Sequence, residues 1–200
     1  MKIKNVVFDI GNVLVRWSPH EVISSIFPEQ EPVKFFAQMH PVWIELNLGK
    51  LTEEEAILLY HAQLNISKEK IAQLLFEFKN TQVPIPGSVE LLQKLHALNI
   101  PLYSITDNIK EIIDYYRTQR NFLHYFKGMA VSADIGILKP NAGIYRHLLE
   151  KYELNPAECV FIDDLEKNVN GALSLGMHSF QFLDAQSCEI KLTELDIIPK

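Results

Sequence analysis

Near its start the chain has a short stretch, Ile3 to Phe8, rich in valine and isoleucine and followed at once by Asp9 and Gly11. A run of that length without polar alternation is the pattern of a strand buried on both faces, here ending in a turn that carries an acid. From Arg16 to about Gln82 the spacing changes. Ile71, Leu74, Leu75 and Phe78 recur at the interval of one helical face, and Thr52 with Glu55 forms a capping box that opens another helix. Ser18-Pro19 and Pro84-Ile85-Pro86-Gly87 border this stretch with residues that suit linkers. After Gly87 the two periods alternate: helix 88–97, strand 101–106, helix 109–117, strand 128–131, helix 141–152, strand 159–162, helix 166–175 and strand 178–182. Asn155-Pro156 supplies an N-cap and first helical position for a short turn, and Gly176 closes the helix before the last strand. Beyond Ser187 the tail predicts only a peripheral helix or strand. The alternation predicts an α/β fold with a Rossmann-like three-layer core built on a parallel sheet, spanning 1–15 and 83–200, with a helical domain inserted over 16–82.

Composition narrows the class. With 200 residues, 48% of them hydrophobic and 22% charged, the chain has enough apolar mass for one core and a small accessory domain, which excludes disorder. No apolar run reaches the length of a membrane span, and the start of the chain lacks a signal-peptide cleavage pattern, so the expected location is cytoplasmic, with no membrane partner. Cys159 and Cys188 are too few and too isolated for a disulfide framework or a thiolate metal site, and both are expected to be packing residues. The formal charge of −6 argues against nucleic acid as a partner, so any phosphate must be met by a local site.

In an open parallel sheet, ligands bind beyond the carboxyl ends of the strands, so the residues after each predicted strand are the ones to inspect. They form a consistent set. The first strand ends in Asp9-Ile10-Gly11-Asn12, the second in Thr106-Asp107-Asn108, the third leads to Lys139-Pro140, and the fourth ends in Asp163-Asp164. In this order the residues resemble the four motifs of the haloacid dehalogenase superfamily, and the resemblance covers essentially the whole chain. The pattern is most similar to the branch of small sugar-phosphate phosphatases, such as the alpha-glucose-1-phosphate phosphatases, and to the phosphatase domain of soluble epoxide hydrolase. In that branch the helical insert is a cap over the active site, and Leu48-Gly49-Lys50-Leu51-Thr52 looks like the turn before one of its helices.

The resemblance implies a magnesium-dependent hydrolase of a small phosphorylated metabolite, monomeric or homodimeric, with Asp9 as covalent nucleophile. A phosphate ester is a dianion, and a carboxylate attacks it only where positive charge screens the approach, which Mg²⁺ provides. Asp9, Asp163, Asp164 and the Gly11 carbonyl form an all-oxygen set suited to that ion, with the direct ligand of the acidic pair left open. Thr106, with the backbone amides of Asp107 and Asn108, is expected to donate to the phosphoryl oxygens, and Lys139 to add a fixed positive charge. Asn168 matches the family's supporting polar residue, behind the metal ligands. His20, His40 and Trp43 lie in or near the insert, where lone residues of these types are more often packing or surface groups than catalytic ones.

Most phosphatases of the superfamily carry a second aspartate two positions after the nucleophile, which moves the proton to and from the leaving group. Here that position is Gly11, which cannot transfer a proton. Three explanations stay open: an acidic leaving group such as the anomeric oxygen of a sugar 1-phosphate; a substitute donor from the cap, a histidine or Asp107; or conversion to a ligand-binding protein. The enzymatic rival is a 2-haloacid dehalogenase, which uses the same nucleophile without metal. The pair Asp163 and Asp164 weighs against it, because two further carboxylates near an anionic substrate help only if a cation is present.

Overall fold

The computed structural model describes residues 2–199. Five parallel strands form one sheet in the order β3-β2-β1-β4-β5: β1 (Asn5–Phe8), β2 (Leu102–Thr106), β3 (Gly128–Val131), β4 (Cys159–Asp163) and β5 (His178–Gln181). β1 is flanked on both sides, with Val7 opposite Tyr103 of β2 and Phe161 of β4. Every residue of β1, β2 and β4 is buried, as expected of largely apolar strands covered on both faces, with Asn5, Ser104, Thr106 and Asp163 the buried polar residues among them.

The two faces take different helices because alternate residues point to opposite sides. Val7, Ile105 and Phe161 pack with Ile144, Tyr145 and Leu148 of α8 (Ala142–Lys151) and Ala172 of α9 (Glu166–Leu173). Val6, Phe8 and Ile162 face the other layer, which holds Leu92 and Leu95 of α5 (Ser88–Ala97), Ile113 of α6 (Lys110–Gln119) and Leu192 of α10 (Ala185–Glu194). The fold is the three-layer α/β architecture expected from the alternating periods. The tail forms α10 as far as Glu194, with the Asp184 N-cap accepting from the Ser187 amide.

Between β1 and α5 lie α1 (Pro19–Ile26), α2 (Pro32–Asn47), α3 (Glu53–Leu64) and α4 (Lys68–Asn80), packed α1 on α2 and α4, and α3 on α2 and α4. Capping explains their starts. The Glu31 carboxylate accepts from the Val33 and Lys34 amides with Pro32 at the first turn, Thr52 and Glu55 form the expected reciprocal box, and Ser67 caps α4. The chain enters and leaves this helical segment side by side: Arg16 N–H donates to Val83 O at 2.9 Å and Ile85 N–H to Leu14 O at 2.8 Å. Between α2 and α3, Gly49 has φ +66° and lies so close to the short helix α7 (Ser132–Ile135) that a Cβ there would sit 1.9 Å from Ala133 O.

Candidate active site

The strand order reverses between β1 and β4: the chain builds outward from β1 through β2 to β3, then crosses back to β4 on the other side. Such a switch point leaves a crevice at the carboxyl edge of the sheet. Asp9 follows β1, Asp163 ends β4 and Asp164 comes next, so the topology alone brings the three acids together. One carboxylate oxygen from each lies within 4.8 Å of the others.

Lys139 is the centre of this group. Its Nζ is 2.8 Å from Asp9 Oδ1 and 2.7 Å from Asp163 Oδ2, and it also donates to Ile105 O at 3.3 Å. Asp9, Lys139 and Asp163 are 7%, 6% and 0% exposed. Charges so buried persist only when each is paired, and here they are. Burial alone would lower the Lys139 pKa; the negative charges of Asp9, Asp163 and Asp107 outweigh it and raise it. The Asp9 carboxyl is pushed up to about 7, first by burial and further by Asp163, against the lowering effect of Lys139. Burial likewise raises Asp107 and Asp164 above the ordinary carboxylate range.

The surrounding groups fix these side chains. Ile10 N–H donates to Asp9 Oδ1 at 2.7 Å, and Lys139 N–H donates to Asp107 Oδ1 at 3.0 Å. Asn168 Nδ2 donates to Asp163 Oδ1 and Oδ2 at 2.9 and 3.1 Å, while Leu165 N–H gives Oδ1 another bond at 2.9 Å. Asn168 sits on the first turn of α9, so its five-residue offset from Asp163 returns it to the strand end. Tyr145, from α8, holds the Asn168 carbonyl at 2.9 Å.

A cavity of about 430 Å³ opens above the edge, lined by Asp9, Gly11, Asp107, Asn108, Lys139 and Asp164 on the sheet side and by residues of α2 on the other. Thr106 and Asp163 are buried at their strand ends and do not line it. His40 and Trp43 line it as well, whereas His20 does not. One expectation needs correction. The Asn108 amide donates to Ser132 Oγ at 2.9 Å and is therefore engaged within the protein rather than turned to a ligand. Ser132, fully buried directly after β3, is not among the residues expected from the sequence, while Asn12 of the first motif gains a role there, its Oδ1 accepting from Trp17 N–H at 2.9 Å. A polar residue directly after a strand is the signal that would have found Ser132. A larger hollow, about 650 Å³, runs along α10 between Gln186 and Glu194 and contains none of the strand-end residues.

The class is settled by comparison with known proteins. A family model of haloacid dehalogenase-like hydrolases matches residues 3–176, and the chain belongs to that family. Among its relatives, the sesquiterpene phosphatase astK of Aspergillus oryzae is 26% identical over 198 residues, covering 96% of each chain. Flavin mononucleotide hydrolase 1 of Arabidopsis thaliana is 26% identical over 205 residues, covering 100% of this chain and 81% of the relative. In fold, a HAD-like hydrolase from Porphyromonas gingivalis superposes with a TM-score of 0.80 at 21% identity, over 98% of each chain. A HAD family enzyme of Bacteroides thetaiotaomicron, solved in complex with magnesium and inorganic phosphate, gives 0.75 at 21% identity, over 91% of this chain and 95% of that one. The chain is thus a HAD-like hydrolase with phosphatases among its relatives, and its acidic cluster has the composition of a metal site. Among the described residues no helix is long and apolar enough to cross a membrane.

Proposed function

We propose that this chain is a Mg²⁺-dependent phosphomonoesterase that attacks small phosphorylated metabolites with Asp9 and passes through an aspartyl-phosphate. The observation that carries the reading is the buried arrangement of Lys139 between Asp9 and Asp163, beside a third acid that faces the cavity. The donor set fits the ion: three carboxylates, with the Gly11 carbonyl available, give hard oxygen ligands and no soft ones. When bound there, Mg²⁺ supplies the positive charge that allows a carboxylate to approach a phosphate dianion.

The residues of the chain do the rest. An Asp9 carboxylate oxygen attacks phosphorus while the bond from phosphorus to the ester oxygen breaks, and that oxygen leaves with the electron pair. Water then attacks phosphorus, releasing phosphate and restoring the carboxylate. Lys139 favours the ionised form of Asp9 against the effect of burial and offsets the charge that grows on the phosphoryl oxygens, with the Asp107 backbone and the Asn108 side chain as hydrogen-bond donors to them and Thr106 buried behind at the strand end. Asn168 keeps Asp163 in place. Residues 16–82 act as the cap domain, excluding water and contacting the leaving group, while 1–15 and 83–200 carry the chemistry.

Gly11 leaves the ester oxygen without a proton donor at the family position, so the reading favours substrates whose leaving group is acidic enough to depart unassisted. The names of two relatives, a sesquiterpene phosphatase and a flavin mononucleotide hydrolase, support phosphoester rather than carbon–halogen chemistry. The test is hydrolysis of an aryl phosphate with and without Mg²⁺. Metal-dependent turnover by the wild type that vanishes in Asp9→Asn is the expected result; turnover by neither protein would favour a non-catalytic binder.

A further inference from the structure

The two sides of the cavity differ in chemistry. The sheet edge is rich in oxygen and charge, whereas the opposite wall is formed mainly by Trp17, Phe36, Trp43 and Ile44, with His40 among them and Ile112 and Leu138 closing it from the core. The rings brace one another: Trp17 and Trp43 stack with centroids 5.4 Å apart and planes at 11°, and Phe36 meets Trp17 edge-on at 6.4 Å and 67°. The amides on this wall are engaged within the protein. Asn47 Nδ2 donates to Trp43 O at 2.8 Å, Gln82 Nε2 donates to Phe78 O at 2.7 Å, and Gln82 Oε1 accepts from the Tyr116 hydroxyl.

A sugar carries a hydroxyl on nearly every carbon, and each one stripped of water needs a partner. Beyond His40 this wall offers few, and its lining is mostly apolar. We propose that the leaving group bound here is apolar, an aromatic ring or a hydrocarbon chain lying against Trp17, Phe36 and Trp43, and not a sugar. The proposal rests on the phosphomonoesterase reading and narrows it, against the sugar phosphates that the family resemblance suggests. A ring also suits Gly11, because an aryl oxide departs without prior protonation. The volume of about 430 Å³ accommodates a ligand of that size.

Trp17 and Trp43 are the only two tryptophans of the chain, so its intrinsic tryptophan fluorescence reports on this wall alone. The experiment titrates the wild-type protein, in Mg²⁺, with non-hydrolysable phosphonates: benzylphosphonate for a ring, octylphosphonate for a chain, and the methylene phosphonate analogue of glucose 1-phosphate. Burying even two methylene-sized groups is worth about tenfold in affinity, so the better apolar phosphonate is expected to reach half-saturation at a concentration at least about tenfold below the sugar analogue. Its rank against the other apolar probe tells ring from chain. A sugar analogue that binds as tightly or more tightly, or emission unmoved by every probe, overturns the proposal. Binding is read without turnover, which separates the two claims. A protein that ranks the probes as expected but hydrolyses no phosphate ester contradicts the enzymatic reading alone; one that hydrolyses aryl phosphate yet prefers the sugar analogue contradicts only the apolar site.

Discussion

Asp9 and Lys139 acquire their meaning from where the chain places them. A lysine before a proline is ordinarily a solvated surface residue, and nothing local in the sequence marks Lys139 as buried. It is the crossover from β3 back to β4 that carries it beneath the strand ends, 2.8 Å from Asp9 and 2.7 Å from Asp163. Asp163 is different: an acid that ends an apolar run is legible as a site residue, because a strand buried on both faces has no other reason to finish in a charge. Gly11 is the residue whose side chain could be added most informatively. A Cβ there would have Trp17 Cβ, at 4.0 Å, as its nearest neighbour, and its backbone does not require glycine. Gly11→Asp therefore has room to place a carboxyl two positions after the nucleophile. We expect it to raise kcat/KM for alkyl phosphates by roughly 10²-fold while changing aryl phosphates far less, since only the former need a proton. Steady-state kinetics on a matched alkyl and aryl pair checks this; equal effects on both would show that leaving-group protonation does not limit the reaction.

Helices and strands form where the hydrophobic period along the chain is strong. The capping box at Thr52 and Glu55 and the cap at Asn155 lie where local hydrogen bonding alone dictates them, whereas α9 stops at Leu173, short of the expected 175, and the left-handed Gly176 belongs to the turn beyond it. The short helix α7 escaped, because four residues after a strand carry no period to detect. Its position matters for the link between the helical segment and the sheet. Gly49 approaches the Ala133 carbonyl too closely for any side chain, and its left-handed φ of +66° adds a second reason for glycine. Glu53 N–H also donates to Glu111 Oε1 of α6 at 3.2 Å, and Lys79 pairs with Glu53 at 2.7 Å, so this corner joins α3, α4 and α6. Gly49→Ala is expected to destabilise the fold by about 3 kcal/mol, from left-handed strain plus a backbone clash that only a shift of α7 relieves. Urea unfolding monitored by circular dichroism measures it, and a loss under about 0.5 kcal/mol, the range of neutral surface changes, would show that the contact yields freely.

At the scale of the molecule, the sheet separates two apolar layers, and each contains one buried free thiol: Cys159 in the layer with α8 and α9, Cys188 in the layer with α5 and α10. Burial pushes the Cys159 thiol up to about 11 and the Cys188 thiol up to about 12, the latter also raised by Asp184 and Glu189. Both folded-state values lie above the ordinary 9.0, so the folded state holds these protons more tightly than the unfolded chain does. Their contribution to stability is fully present below about pH 9 and is lost as pH rises through about 11 and then about 12. Urea midpoints are expected to fall above pH 9, with a smaller fall when Cys188 is replaced by alanine; an identical alkaline profile in the two proteins would contradict the assignment. What the sequence left unread at this scale is the wall opposite the acids. Trp17 and Trp43 are separated by a helix and a half, and only the packing of α1, α2 and α4 stacks them over the strand ends. Periodicity says that such residues are buried, not which rings meet.

The central claim is a covalent bond from Asp9 to phosphorus, and it can be caught directly. Aryl phosphate turnover in Mg²⁺ is quenched with acid, the protein is reduced with borohydride, and the peptide containing Asp9 is examined by mass spectrometry. An acyl phosphate at Asp9 is predicted to appear as homoserine at that position, only when substrate and metal are both present. Sustained turnover with Asp9 unmodified, or with the trapped group on another residue, would contradict the account.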